Sequence, residues 1–301
     1  KNVLFLCDIN TFNQINQTIN KISKNKNLVF ERYDYQKINQ NEIKKFDMLV
    51  LSRNFSNSNE ENILLEKFLN SKKKILYIDE WLQINFEIIT PEFYKFYSLT
   101  TNDKFYIFIK KIFDLIFILI LLLLFLPLIF IVSIIIKLND NGPIIYKQKR
   151  TGLNGNVFDI YKLRTMKENS ESGGVRWSSI NDTRITSIGK ILRKFRIDEL
   201  PQLFNVIRGD MSLIGPRPER PEIDIKLDPY ILNYRKRYYV LPGVSGWAQV
   251  NYNYGASIED SYVKVCFDNF YVRNKSLFFD LLIFFKTIKI VFNAVGSKPN
   301  K

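Results

Sequence analysis

Hydrophobic and polar positions alternate in short blocks over the first 104 residues. Apolar runs such as NVLFLC, DMLVLS and KILYID are separated by longer stretches such as TFNQINQTINKI, where apolar residues recur at helical spacing. Strands that alternate with helices of this length predict βαβ units and a parallel sheet covered by helices. The first turn, CDINTFNQ, lacks a Gly-x-Gly pattern, so residues 1–104 are predicted to form a Rossmann-like α/β accessory module without a dinucleotide loop.

The next block is continuously apolar. The 22 residues from Leu115 to Ile136 carry no charge, and a helix of that length is about 33 Å long, enough to cross a bilayer. A single spanning helix is one interpretation. Pro127 favours a break in the middle, and lysines on both flanks place both ends on the cytoplasmic side. The preferred prediction is therefore a proline-broken, re-entrant helix over residues 105–138.

The remaining part, residues 139–301, is predicted to be an α+β catalytic domain inserted in the membrane by that helix. GPIIYKQKR and VFDIYKLRTM indicate two strands around a glycine-bearing turn, which would bring together Lys149, Arg150, Lys162 and Arg164. The stretch around KILRKFR predicts an amphipathic basic helix suited to a lipid surface, with the solvated face of an ordinary helix as the alternative. The apolar stretch SLFFDLLIFFKTIKIVFNAV either packs on the domain or lies in the membrane interface.

Charge and composition narrow the chemistry. The chain of 301 residues has a net charge of +14 and no histidine, so catalysis would depend on carboxylates, lysines, hydroxyls or thiols. Residues 1–104 carry 15 Lys and Arg against 13 Asp and Glu, whereas residues 105–301 carry 29 against 17. The basic second part points to phosphate groups. Only Cys7 and Cys266 are present, which suits a reducing compartment.

The most informative acidic pair stands in RIDELPQLFN, where Asp198 and Glu199 are adjacent. Neighbouring residues on a helix point about 100° apart, so these carboxylates cannot share one proton but can take separate roles at one place. Pro201 marks a helix boundary or kink that would expose them. A salt-bridged pair on a solvated helix end is the commoner fate of an Asp-Glu dipeptide.

Two further stretches carry candidate binding residues. In GDMSLIGPRPERPE, Arg217 lies between two prolines on a rigid backbone, which suits bidentate binding of a phosphate, or it is a structural arginine in a turn. In LPGVSGWAQVNYNYG, Trp247 with Gln249 and Asn251 could stack on a base and bind it, or it could be a core corner.

Taken together, GPIIYKQKRTGLNGNVFDIYKLRTM, LRKFRIDELPQLFNVIRGDMSLIGPRPERP, LPGVSGWAQVNYNYG and FDNFYVRNKSLFFDLLI resemble the bacterial sugar transferases, which are monotopic phosphoglycosyl transferases. VNYNYGASIED is similar to the exopolysaccharide-type branch. The resemblance implies transfer of a sugar 1-phosphate from a UDP-sugar to undecaprenyl phosphate, with Mg²⁺ and release of UMP, at the cytoplasmic face of the bacterial inner membrane. It implies inner-membrane lipid and no nucleic acid as partners, and leaves a homodimer open.

The resemblance also implies site residues. Asp198 is the nucleophile that attacks the β-phosphorus and forms a covalent aspartyl intermediate, and Glu199 assists as metal ligand or proton acceptor. Both are candidate Mg²⁺ ligands. The basic residues of the family fall on Lys162, Arg193 and Arg217, and the full predicted substrate-binding set is Lys162, Arg164, Arg193, Arg217, Gln249 and Asn251.

Some features depart from the family. Asn253 stands where relatives often carry arginine, which would weaken or rearrange donor binding. Relatives often have several membrane helices before a Rossmann-like module, so this chain is expected to be a short form or a truncated sequence. YIDEWLQINFEIIT resembles the link between such a module and the catalytic part. Donor choice is expected to depend on residues 167–184 and 220–240.

A non-enzymatic alternative remains. A basic, membrane-tethered module could bind anionic lipid or nucleic acid through the positively charged second part. Such a protein would have no need of Asp198 or Glu199.

Overall fold

The computed structural model describes residues 2–22, 29–32, 45–53, 65–66, 68–71, 73–93, 104–139, 142–168, 170, 182–252, 255 and 257–293. The chain folds into two compact units, Lys1–Ile89 and Thr90–Lys301. Asn253 and most of the predicted donor-selecting loop at 167–184 lie outside the described residues.

The first unit contains a four-stranded parallel sheet in the order β2-β1-β3-β4. This confirms the parallel sheet that the alternating pattern predicts. Its elements are β1 Asn2–Leu6, α1 Ile9–Ile22, β2 Val29–Arg32, β3 Met48–Leu51, β4 Lys74–Tyr77 and α2 Ile78–Phe86.

Helix α2 belongs to the core of this first unit. The Trp81 ring is completely buried and meets the Phe5 ring edge-on, with 5.0 Å between the ring centroids. The Arg53 guanidinium binds the buried Asp79 carboxylate at 2.9 Å. Burying the indole holds α2 against the sheet, and the stretch YIDEWLQINFEIIT that contains α2 reaches the boundary between the two units. Its role as a link to the catalytic part stays a prediction.

The apolar block forms one long helix in the second unit. Helix α3, Lys104–Asn139, comprises 36 residues and continues through Pro127. It is long and apolar enough to cross a membrane by length and composition. The predicted break is not present as an interruption of the helix, because a proline removes one backbone hydrogen bond and neighbouring turns can continue. The return of the chain to the same membrane face stays a prediction.

The first arm of α3 is held by polar contacts within the second unit. The Tyr106 hydroxyl and the Lys110 ammonium donate to the buried Asp280 carboxylate at 3.0 and 2.7 Å. One turn further on, Asp114 accepts a hydrogen bond of 2.6 Å from the Ser212 hydroxyl. These buried polar pairs fix the rotation of the arm about its own axis.

The second arm packs through apolar side chains on the same unit. Val132 and Ile136 form a buried cluster with Leu163 and Leu192. Between the two arms most side chains are exposed, and Leu123 is 83 % exposed. Both arms of α3 thus rest on the second unit, while most side chains of its apolar middle are exposed.

The predicted hairpin is confirmed. Strands β5 Ile145–Thr151 and β6 Val157–Leu163 pair antiparallel. Because Arg150 is opposite Phe158 and Lys162 is opposite Tyr146, both cations project from the same, inner face. Lys149 lies on the opposite face and is exposed. The expectation that all four basic residues of the hairpin cluster is therefore wrong for Lys149.

The basic amphipathic helix is present but short. Helix α4, Ser187–Lys194, is followed by a 3-10 turn, Ile197–Glu199, and by α5, Gln202–Arg208. Arg196 separates them in the left-handed conformation at φ 54°. Leu192 is buried towards α3. The helix is therefore packed on the unit as well as basic.

The remaining elements complete the second unit and pack around a parallel pair of strands, β7 and β8. The apolar C-terminal stretch forms α9, Leu277–Phe292, and packs on the unit through the buried Ile283, while Phe278 and Phe292 are exposed. Its position in a membrane interface stays a prediction. The elements are β7 Ser212–Ile214, α6 Pro221–Leu227, a 3-10 helix Tyr234–Tyr239, β8 Gly243–Ser245, α7 Trp247–Asn251, α8 Ile258–Asn274 and α9 Leu277–Phe292.

Candidate active site

The two adjacent carboxylates lie on the 3-10 turn between α4 and α5. Arg196 reverses the chain just before the turn, and Leu200 returns it to right-handed helical backbone. Asp198 and Glu199 are each only 8 % exposed. The interpretation of this dipeptide as a solvated helix-end pair is therefore wrong, because two carboxylates are held together in the interior of the protein.

Glu199 is held by three cations. Its Oε1 atom accepts from Arg217 at 2.7 Å and from Lys162 at 3.5 Å, and Oε2 accepts from Arg196 at 3.3 Å. Burial by itself would raise the pKa of Glu199, but the charges of Arg217, Lys162 and Arg196 hold that pKa well below its usual value. Glu199 is thus ionised and fixed in place.

Asp198 differs from Glu199 in its contacts and in the direction of its pKa shift. Among the described residues, none forms a hydrogen bond or an ion pair within 4.0 Å with its carboxylate. Burial and the neighbouring charge of Glu199 raise the pKa of Asp198, while Lys162 and Arg193 oppose that change. Two adjacent carboxylates whose pKa values move in opposite directions are suited to separate chemical roles.

The backbone around Arg217 is held by hydrogen bonds at each of the residues 216–218. The Arg217 guanidinium points at Glu199, and the predicted rigidity of this stretch is confirmed. Three consecutive carbonyl groups over 216–218 accept hydrogen bonds from the Gly243 amide at 2.9 Å, from Arg237 at 2.8 Å and from Arg150 at 3.0 Å, in that order. The position of the guanidinium is therefore set by contacts from two other parts of the unit.

The buried side chain of Arg237 holds the backbone of Arg217 in place. It is 4 % exposed and pairs with the buried Asp268 at 2.8 Å, and it also donates to the Tyr234 hydroxyl at 3.1 Å. Burial raises the pKa of Asp268 to about 6, although Arg237 opposes this rise. Sequence reasoning missed Arg237, since its role depends on contacts between residues distant in the chain.

Asn205 fixes α5, the helix that follows the dyad, against strand β6. Its completely buried side chain accepts from the Tyr161 amide at 3.1 Å and donates to the Asp159 carbonyl at 2.7 Å. Its side chain thereby satisfies backbone groups of β6 next to Lys162 that a neighbouring strand would otherwise bind. A polar residue among the apolar positions of QLFNVI was the only sequence signal for it.

The basic residues predicted for this site are not equivalent. Lys162 lies beside Glu199, and Arg193 donates from Nε to the Thr165 hydroxyl at 2.8 Å. The Arg164 guanidinium instead lies against Gly142, where any larger side chain would collide with it. Their roles in binding substrate stay predictions. Arg150 and Arg196 join the cluster although the predicted set does not contain them.

Trp247 is a core residue. It is buried against Phe270 and Phe279, with the centroids of Trp247 and Phe279 4.8 Å apart. This confirms the core-corner interpretation and leaves no ring face for a base. Asn251 donates to the Trp247 carbonyl at 2.9 Å and Gln249 to a carbonyl of β8 at 3.2 Å. Their predicted contact with substrate stays a prediction.

The dyad also fits the sparse protein ligation typical of Mg²⁺. The described part of the chain holds no group of three or more candidate ligands. Mg²⁺ is commonly bound by one or two carboxylates and completed by water and substrate phosphates. Asp198 has carboxylate oxygens that no described residue engages, so the donor set is compatible with an ion that arrives with a diphosphate.

The comparison with known proteins agrees with this geometry. A sequence model of the family described as "Bacterial sugar transferase" matches residues 105–294, which is more than half of the chain. The chain belongs to the bacterial sugar transferase family. The match includes α3, the hairpin, the dyad and Arg217.

Relatives of this sugar transferase come from several bacteria. It is 45 % identical over 193 residues to the UDP-N-acetylgalactosamine-undecaprenyl-phosphate N-acetylgalactosaminephosphotransferase of Aeromonas hydrophila, covering 64 % of this chain and 46 % of that protein. It is 41 % identical over 186 residues to the undecaprenyl-phosphate glucose phosphotransferase of Komagataeibacter xylinus, covering 60 % of this chain and 35 % of that protein. The chain thus spans less than half the length of these two relatives.

The chain covers most of the length of a third relative. The exopolysaccharide production protein ExoY of Rhizobium meliloti is 37 % identical over 204 residues, covering 62 % of this chain and 87 % of that protein.

The asymmetry of the dyad predicts opposite effects of two conservative substitutions on stability. Glu199→Gln leaves Arg217, Lys162 and Arg196 without a full countercharge and should lower the free energy of unfolding by about 1–3 kcal/mol. Asp198→Asn should leave it unchanged or raise it, because a carboxylate with a raised pKa is less favourable in the fold than in the unfolded chain at neutral pH.

Thermal unfolding in lipid nanodiscs at pH 7 measures both effects. Glu222→Gln is the control, since Glu222 is more than half exposed and its pair with Arg220 is long at 3.9 Å. An Asp198→Asn protein that is clearly less stable than the Glu199→Gln protein contradicts this account of the dyad.

Proposed function

We propose that this sugar transferase moves a sugar 1-phosphate from a UDP-sugar to undecaprenyl phosphate and releases UMP. The names of the Aeromonas and Komagataeibacter relatives state undecaprenyl phosphate as their acceptor, and the Aeromonas name states a UDP-sugar donor. The reaction would be the first membrane step of polysaccharide synthesis, at the cytoplasmic face of the inner membrane.

The observation that carries the proposal is the unequal state of the two carboxylates. Asp198 has no direct partner among the described residues, whereas Glu199 is bound by three cations. An Asp198 oxygen attacks the β-phosphorus of the donor, the bond from that phosphorus to the UMP oxygen breaks, and UMP leaves with the electron pair. The product is an acyl phosphate that links the sugar to Asp198.

The second displacement restores the enzyme. A phosphate oxygen of the lipid attacks the same phosphorus, the bond to Asp198 breaks, and the carboxylate is regenerated. The lipid phosphate is already ionised, so the step needs no histidine as general base. Two displacements at one site allow a soluble donor and a membrane-bound acceptor to use it in turn.

The cations around the dyad offset the charge of the diphosphate. A carboxylate and a diphosphate repel each other, and Lys162, Arg193 and Arg217 are the groups whose charges act on Asp198. Glu199 keeps two of them, Lys162 and Arg217, beside the nucleophile. Its first role is therefore to position charge.

Mg²⁺ fits this scheme as a companion of the donor. Asp198 and Glu199 would hold the ion, and when bound it would supply further positive charge against the diphosphate.

The packing of α3 supports a re-entrant helix. Its first arm is bound to Asp280 and Ser212, and its second arm packs on Leu163 and Leu192, so both arms meet one unit. The apolar middle is exposed. In a membrane this arrangement is satisfied when the middle enters the lipid and both ends remain at the same face.

The non-enzymatic alternative accounts less well for the site. Binding anionic lipid or nucleic acid requires exposed cations, and it gives no reason to bury two carboxylates beside them. The buried dyad of Asp198 and Glu199 therefore favours the enzyme.

Release of UMP tests the proposal directly. The protein in nanodiscs with undecaprenyl phosphate and Mg²⁺ should release UMP from UDP-N-acetylgalactosamine or UDP-glucose, the sugars that the relatives' names suggest. Asp198→Asn should lower the rate by at least about 1,000-fold because the nucleophile is removed. Glu31→Gln, which alters an exposed carboxylate on β2 of the first unit, serves as control. Unchanged turnover in the Asp198→Asn protein would show that Asp198 is not the nucleophile.

The charge of Lys162 predicts a pH dependence. Burial lowers the pKa of Lys162 to about 8, although Glu199 opposes this change. The ammonium is charged below that pH and neutral above it, so kcat/KM for the donor should fall above about pH 8. In Lys162→Arg the guanidinium stays charged, and the alkaline decline should move to higher pH whatever the absolute rate. The same decline in both proteins would exclude Lys162 as its cause.

Cysteine labelling tests the topology of α3. With Cys7 and Cys266 replaced by serine, single cysteines at the exposed positions Lys74 and Lys149 precede and follow the helix. A membrane-impermeant maleimide should label both in inverted inner-membrane vesicles and neither in intact spheroplasts. Labelling from opposite sides is the result that a spanning helix gives, and it contradicts re-entry.

A further inference from the structure

Gln202 has a buried side-chain amide for which the described part of the chain offers no hydrogen-bond partner. Its side chain is 1 % exposed, and no described residue forms a hydrogen bond with it. The Nε2 atom in particular is sealed from solvent. An amide N–H kept unpaired in the interior lowers stability, so its presence beside a charged site calls for a partner that arrives with the reaction.

The backbone places Gln202 one turn after the nucleophile. The 3-10 turn at Ile197–Glu199 leads into α5 through Leu200 and Pro201, both in right-handed helical conformation. Residues four apart on such a backbone share a face. The side chains of Asp198 and Gln202 therefore start from the same side of the helix.

The neighbours of Gln202 show which way that side faces. Three residues before it, Glu199 reaches Lys162 on β6, and three residues after it, Asn205 binds the β6 backbone at Asp159 and Tyr161. Residues three apart form a row along a helix, so Gln202 lies between these contacts and faces the strand beside Lys162. It thus lies on the helix face that is turned towards Lys162 and Glu199.

We propose that the Gln202 amide donates a hydrogen bond to a phosphoryl oxygen of the sugar 1-phosphate that Asp198 takes from the donor. This inference rests on the proposed function and adds a neutral donor to it. Lys162, Arg193 and Arg217 supply charge, whereas an amide held by a helix supplies direction without adding charge. A donor that is left unpaired until the phosphoryl group arrives stabilises the reacting state more than the free enzyme.

Replacement by a side chain of similar size tests the donor. Gln202→Met removes both amide groups and should leave the melting temperature unchanged or raised, because a buried unpaired group is lost. UMP release should fall about 10- to 100-fold, the range for a hydrogen bond to a charged group. Gln202→Glu, which loses the donor and adds negative charge, should lose at least as much. Leu203→Met, a buried substitution one residue further on, should stay within about twofold.

The outcomes separate this inference from the proposed function. Full UMP release by the Gln202→Met protein overturns the inference and leaves the proposed function standing. A Gln202→Met protein that is less stable than wild type also overturns it, since the amide then has a structural partner such as buried water. Equal losses in the Gln202→Met and Leu203→Met proteins indicate a packing effect and overturn it as well. A wild-type protein that releases no UMP from any donor overturns the proposed function and the inference with it.

Discussion

The binding of one carboxylate by three cations organises the catalytic unit. Glu199 receives Arg196 from its own turn, Lys162 from strand β6 and Arg217 from the segment after β7, so three distant parts of the chain meet at two oxygen atoms. A buried charge without such partners would not stay ionised, and the same holds for cations left without Glu199. Two buried residues hold these cations in position. Asn205 fixes the strand that carries Lys162, and Arg237 fixes the segment that carries Arg217.

The same cluster explains how neighbouring acids acquire different tasks. Since Glu199 takes the direct contacts, Asp198 is left buried, close to positive charge and without a hydrogen-bond partner among the described residues. Its carboxylate is costly for the fold and available for chemistry, a combination found at sites that trade stability for function. In the proposed reaction, attack on the β-phosphorus turns this carboxylate into an acyl phosphate, and Gln202 is the proposed hydrogen-bond donor to that phosphoryl group.

Local patterns in the sequence predicted the parts of the site that depend on local structure. The hairpin follows from two apolar-polar runs around glycines, and the rigid mount of Arg217 from the prolines beside it. The sequence also contained the information that Lys149 faces away from the cluster. Side chains alternate along a strand, so Tyr146 and Arg150, four residues apart, share a face, whereas Lys149 lies on the other face. Asn205 depends on contacts across the fold, as Arg237 does, and no spacing in one sequence reveals such contacts.

If Asp198 carries the sugar phosphate between two substrates, intact-protein mass spectrometry detects the loaded protein. The protein in nanodiscs is mixed with a UDP-sugar and Mg²⁺ without lipid acceptor, and then with undecaprenyl phosphate. With Asp198 as the nucleophile, the protein gains a mass equal to one sugar phosphate, which fragmentation locates at Asp198 and which is lost when the acceptor is supplied. UMP release by a protein that never gains this mass, or an equal gain in the Asp198→Asn protein, contradicts it.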